Sequence, residues 1–135
     1  MGNFAVAARK NVTHQVNYFR ASRAYNTPNI GTAGMVPIGT LPAGAVVTHA
    51  LVKVTEAFNA ATTNVVTVGT AAADNAVLAA GDFNEGVIGS TVTFAAAGYS
   101  VTVDTPLFIR YTQTGTAATT GAVTIILFFV PDNDR

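Results

Sequence analysis

Few side chains in this sequence could do chemistry, and their spacing decides what each is fit for. His14 and His49 are the two histidines, whereas a metalloenzyme on a jelly-roll scaffold needs several histidines and a carboxylate converging on one ion. Each is therefore read as a strand-face histidine making an ordinary hydrogen bond. The stretch DFNEG at Asp82 to Gly86 has the opening of a calcium loop, but the twelfth position, where a bidentate Glu belongs, is Thr93. It reads as a loop of solvated acids, and the closing PDNDR reads as a charged tail. Asn11-Val12-Thr13 matches a glycosylation sequon, a match that often arises by chance. There is no Cys, which removes disulfides, zinc ribbons and thiol catalysis. The phosphate-loop, dinucleotide, nucleophile-elbow and zinc-protease motifs are also missing from the sequence. The expectation is no enzyme, no metal and no cofactor, with function carried by surfaces.

Two surfaces stand out. Arg9, Lys10, Arg20 and Arg23 are interleaved with Tyr18, Phe19 and Tyr25, a mixture of charge and stacking rings that could meet nucleic acid. Four charges without a basic body make a weak footprint for that partner, and an arm docking on an acidic protein fits better. The net charge of zero hides the asymmetry: residues 1–35 hold those four bases and no acid, while residues 36–135 hold three bases and seven acids.

The second surface is in GAVTIILFFVPDNDR near the end, where only Thr124 interrupts an apolar run from Val123 to Val130. A bilayer-crossing helix needs about 20 apolar residues, so no membrane span is expected here. Val123, Ile125, Ile126 and Val130 are β-branched, Phe128 and Phe129 aromatic, and Gly121 and Pro131 punctuate the ends, which together describe a buried strand. Val123, Ile125, Leu127 and Phe129 can fill a core, leaving Ile126, Phe128 and Val130 pointing outward. Leaving all three wet would forgo roughly 5–9 kcal/mol, comparable to the net stability of a domain. A cover is expected, either the N-terminal arm or a neighbouring subunit, and these three join the arm residues as partner contacts. Sugar recognition is the weaker alternative, since carbohydrate platforms stack on exposed aromatics and there is no Trp; Tyr99 or Tyr111 would have to serve.

The elements that position these residues read as strands. Residues 12–20 alternate as an edge strand would, and residues 22–37, with two prolines and two glycines, read as an extended arm laid on something. The longest strand signal is AVVTHALVKVTEAFN, with Val47, His49, Leu51 and Lys53 on one face and Val46, Ala50, Val52 and Val54 on the other. Further strands are expected over 64–69, 91–95, 99–103, 107–114 and 122–130, with a short strand or one helical turn around 76–80. This predicts an all-β fold: a jelly-roll-like antiparallel β-sandwich of about eight strands. The expected division is a basic N-terminal arm over 1–37 and a sandwich body over 38–135.

Half of the residues are apolar and a tenth charged, against about a quarter charged in soluble domains, and such a surface tends to associate. The apolar stretch Phe4 to Ala8 is short and is followed, not preceded, by Arg9 and Lys10, which is not the order of a secretion signal. Synthesis in a bacterial cytoplasm is expected.

The stretch LPAGAVVTHALVKVTEAFNAATTNVVTVGTAAADNAVLAAGDFNEG, and then YTQTGTAATTGAVTIILFFVPDN, resemble small virion proteins of tailed bacteriophages. They resemble in particular capsid cement, or decoration, proteins with a jelly-roll body, such as that of a Bordetella phage. The resemblance covers about residues 38–133. It implies a clamp on the outer surface of a shell built from an HK97-type major capsid protein, present as a homodimer or other homo-oligomer. A head-fibre or tail receptor-binding module with a lectin-like sandwich is the alternative it leaves open.

Overall fold

The computed structural model describes residues 16–31 and 36–132. They form seven strands: β1 (Asn17–Ala24), β2 (Val36–Leu41), β3 (Val46–Glu56), β4 (Thr63–Gly69), β5 (Gly89–Thr93), β6 (Thr105–Thr114) and β7 (Ala122–Val130). Consecutive strands alternate between two sheets, so the odd-numbered ones assemble as β1-β7-β3-β5 and the even-numbered ones as β2-β6-β4. All pairings are antiparallel. The expected β-sandwich is what the chain forms.

An eight-stranded jelly roll places four strands in each sheet, and here the missing place is the free side of β4. Leu78 occupies it as a single antiparallel bridge to Val68, the remnant of the strand or turn expected around 76–80. Three amides along this side, those of Val66, Val68 and Thr70 just past the strand, are nevertheless satisfied. Val68 N–H donates to Leu78 O at 3.1 Å, Thr70 N–H to Ala73 O at 2.8 Å, and Val66 N–H to the buried carboxylate of Glu85 at 2.9 Å.

Alternation on each strand supplies the core. Val123, Ile125, Leu127 and Phe129 of β7 point inward as expected, meeting Leu107, Ile109 and Tyr111 of β6 and Val66 and Val68 of β4. In β3 the expected faces hold only in part. The register shifts between Val47 and His49, and this bulge at Thr48 puts Val47 on the core side together with Ala50, Val52 and Val54. A bulge inserts one residue and so reverses the facing of everything on one side of it.

Other expectations are displaced. Residues 99–103 form no strand; they touch the start of β3 through the Val46–Ser100 bridge, with Tyr99 O accepting from Val47 N–H at 2.8 Å. The strand expected over 91–95 lies at Gly89–Thr93, and the early edge strand lies at Asn17–Ala24, the outer strand of the four-stranded sheet. Of the arm read over 22–37, residues 22–24 belong to β1, and the turn after it rests on the protein's own sandwich. Ile30 is buried there and its carbonyl accepts from Tyr111 N–H at 2.8 Å. Gly39 permits the close approach of the two sheets at this corner, because a Cβ would sit 2.9 Å from the Phe19 ring.

Candidate functional site

β7 runs down the middle of the four-stranded sheet, so its outward residues define the centre of the exposed face. Register places side chains in rows across the strands. Phe128 lies opposite Tyr18 of β1 and His49 of β3, and Phe94, just past β5, completes the row. The four rings stand side by side: Tyr18 to Phe128 at 5.9 Å, Phe128 to His49 at 4.4 Å with only 12° between planes, and His49 to Phe94 at 5.7 Å. The Thr48 bulge is what turns His49 to this side. The Thr48 hydroxyl fixes the position, donating to Phe128 O at 3.3 Å and lying 3.0 Å from His49 Nδ1.

On one side of the ring row Val130 lies opposite Val46. On the other, Ile126 lies between Arg20 and Leu51, and Leu51 opposite Val92; one row further, Thr124 lies between Ser22 and Lys53. The Ser22 and Thr124 hydroxyls are 2.8 Å apart and hydrogen-bonded. Tyr18 is 62% exposed, Phe94 67% and Val92 54%, whereas Phe128 and Ile126 are half-buried between their neighbours. The ring row thus covers the middle strand partly and leaves its own outer members in water.

The residues expected to touch partners separate into groups. Tyr18, Arg20, Ile126, Phe128 and Val130 come together on this face. Phe19 turns inward and packs its ring 5.9 Å from Phe129. Arg23 ties β1 to β2, donating to Pro37 O at 2.7 Å and to Ser22 O at 2.8 Å. Tyr25 is half-buried against the core, its amide donating to Gly121 O at 2.9 Å. Arg9 and Lys10 lie outside the described residues, as does His14.

Lys53, Leu51, Val92 and Phe94 were not singled out in the sequence. Alternation in β3 did group His49, Leu51 and Lys53, and TVTF carries a period of two; the missing signal was which strands pair.

The acids lie elsewhere. In the DFNEG loop, Asp82 accepts from Ala79 N–H at 2.8 Å, Asn84 from Gly86 N–H at 2.9 Å, and Glu85 turns inward to Val66. These oxygens serve backbone amides, and among the described residues no three His, Cys, Asp or Glu gather as a metal site would require. Asp74 pairs with Arg110 at 2.6 Å, Asp104 accepts from Ala43 N–H, and Glu56 at the end of β3 accepts from Gly121 N–H. Among the described residues no helix is long and apolar enough to cross a membrane. Inside the sandwich, the Tyr111 phenol is pushed above its ordinary value by burial, with the Glu85 charge adding to the rise and the Ala60 backbone opposing it.

No family model and no curated protein matches the sequence. By structure, the chain is similar to a chain of the cyanophage Pam1 capsid asymmetric unit, with TM-score 0.68 and 22% identity over 87% of this chain and 86% of that one. It is also similar to a chain of the acidic stable capsid of Helicobacter pylori bacteriophage KHP30, with TM-score 0.63 and 17% identity over 86% and 87%. At these identities the likeness is one of fold.

Proposed function

We propose that this chain is a structural virion protein of a bacteriophage that binds the outside of the head and bridges major capsid protein subunits of an HK97-type shell. The observation that carries the reading is the outer face of the four-stranded sheet, where rings and aliphatic side chains from all four strands lie exposed in register. Monomeric proteins seldom leave so continuous an apolar patch uncovered. Covering its exposed members would recover roughly 5–9 kcal/mol, of the same order as the cost of immobilising a free protein. Each copy therefore binds modestly. Repetition over the shell supplies the effect, because a protein that binds only the assembled head shifts the disassembly equilibrium by mass action. The shared fold with chains of two phage capsids supports the same reading, and the basic residues Arg9 and Lys10 extend the contact beyond the sheet.

The lectin-like alternative, a receptor-binding module of a head fibre or tail, needs ring faces free to stack on sugars. His49 and Phe128 lie face to face at 4.4 Å, so the faces that the two central rings turn to each other are not free for a sugar. The same geometry disfavours base stacking.

Mixing purified protein with heads assembled without it tests the reading. Saturable binding at a fixed number of copies per shell, together with a raised temperature of head breakdown, is expected. Glycan binding by the isolated protein with no attachment to heads would replace this function by the receptor-binding one.

A further inference from the structure

The apolar face is not neutral. Within the four rows from Val46 to Lys53, the charged side chains among the described residues are Arg20 and Lys53, both positive and both exposed. Neither makes an ion pair among the described residues. The carboxylate that follows along β3, Glu56, accepts from the Gly121 amide through one oxygen and forms no ion pair with Lys53. Arg20 and Lys53 stand on either side of β7, two strand spacings apart and offset by one row, which places their backbones about 12 Å apart. The ring row borders them on one side only.

We infer that the surface docking on this face is a protein surface that is apolar opposite the ring row and carries carboxylates opposite Arg20 and Lys53. The inference rests on the virion reading above and specifies the chemistry of the shell surface that the protein recognises. A cation brought into an interface without a counter-charge weakens docking, and one that meets a carboxylate favours it and fixes the register. The two cations lie at one edge of the apolar patch, so they also set the direction in which the protein sits. The protein's own basic residues 1–15 match this face poorly, because Arg9 and Lys10 would face Arg20 and Lys53. A second copy laid on the same face would bring no carboxylate from these rows. Phosphate is disfavoured as the counter-charge, since two cations make a small footprint for a nucleic acid and the two central rings stack on each other.

Attachment of R20Q/K53Q to heads assembled without the protein, measured in 50 mM and 500 mM NaCl, is the test. Both side chains are exposed, and an unchanged thermal unfolding midpoint confirms the fold of the variant. Wild-type protein is expected to lose about tenfold or more in affinity on raising the salt. R20Q/K53Q is expected to bind roughly 10–100-fold more weakly than wild type at low salt and to show a clearly shallower salt dependence, the remainder belonging to Arg9 and Lys10. Wild-type and variant proteins binding heads equally at low salt would overturn the inference while leaving the virion reading intact. Failure of the wild-type protein to bind heads at either salt would instead remove the virion reading. Retention of a single-stranded oligonucleotide that is lost in R20Q/K53Q, or self-association that persists in 500 mM NaCl and is abolished by Y18A, would each overturn the inference by naming a different occupant.

Discussion

Phe128 and Phe129 are neighbours on one strand with opposite surroundings, and truncating each in turn separates folding from docking. Phe129 is 6% exposed and packs on Phe19 inside the sandwich, so Phe129→Ala should cost about 3–5 kcal/mol, the range for removing a core phenylalanine. Phe128 is half-buried. Its truncation forgoes about half of the 1.5–3 kcal/mol that full burial is worth and the stacking on His49, about 0.5–1.5 kcal/mol, for a total near 2 kcal/mol. With a urea dependence of roughly 2 kcal/mol per molar for a domain of this size, midpoints should fall by about 1 M for Phe128→Ala and about 2 M for Phe129→Ala. Attachment to heads should respond differently. Phe128→Ala, still folded at low denaturant, should lose about 30-fold in affinity, as a central interface ring does. Equal destabilisation by the two substitutions would show that the outer face is a second core. A folded Phe128→Ala that attaches like wild type would show that the face is not the docking surface.

The eighth-strand position, filled only by the Leu78 bridge, makes Glu85 a structural carboxylate. Glu85→Ala leaves the buried Val66 amide unpaired and should cost about 1–3 kcal/mol by denaturant titration, whereas Glu85→Gln, which keeps an acceptor oxygen, should cost less. Because burial raises the Tyr111 phenol above its usual value near 10, its contribution is fully present below that value and falls away as pH rises toward the folded-state value. Unfolding free energies measured from pH 8 to 11 should therefore drop above pH 10, and the drop should be smaller in Tyr111→Phe. Removing residues 1–15 should leave the unfolding midpoint near wild type and weaken attachment through loss of Arg9 and Lys10, while extending the deletion to residue 24 removes β1 and should lower the unfolding free energy by several kcal/mol through lost burial at Ala21 and Ile125.

How far the sequence reveals this molecule depends on whether a feature is local. The two-faced character of β7 was legible because, Thr124 aside, the eight side chains from Val123 to Val130 leave no polar side to put in water, and both faces lie where alternation puts them. The Thr48 bulge was not legible, since AVVTHALV alternates acceptably in either facing and only pairing with Phe128 and Phe129 selects the shift. Residues 99–103 have the composition of a strand, but they reach the sheet edge only at the start of β3, where one bridge forms. The outer face of the four-stranded sheet suffered most from non-locality. Its members come from β1, β3, β7 and the end of β5, and no spacing in the chain reveals that Lys53 and Arg20 flank one strip. The arm residues illustrate the converse: Phe19, Arg23 and Tyr25 sit among bases and rings in the sequence, and within the chain packing uses them to join β1 to the rest of the sandwich.

Electron cryomicroscopy of the intact particle bears most directly on whether the outer face of the four-stranded sheet meets another protein. The expected map shows another protein's density against Tyr18, Phe128 and Phe94, with acidic side chains near Arg20 and Lys53. A map in which those rings face bulk solvent while the β2-β6-β4 sheet meets the shell would contradict it.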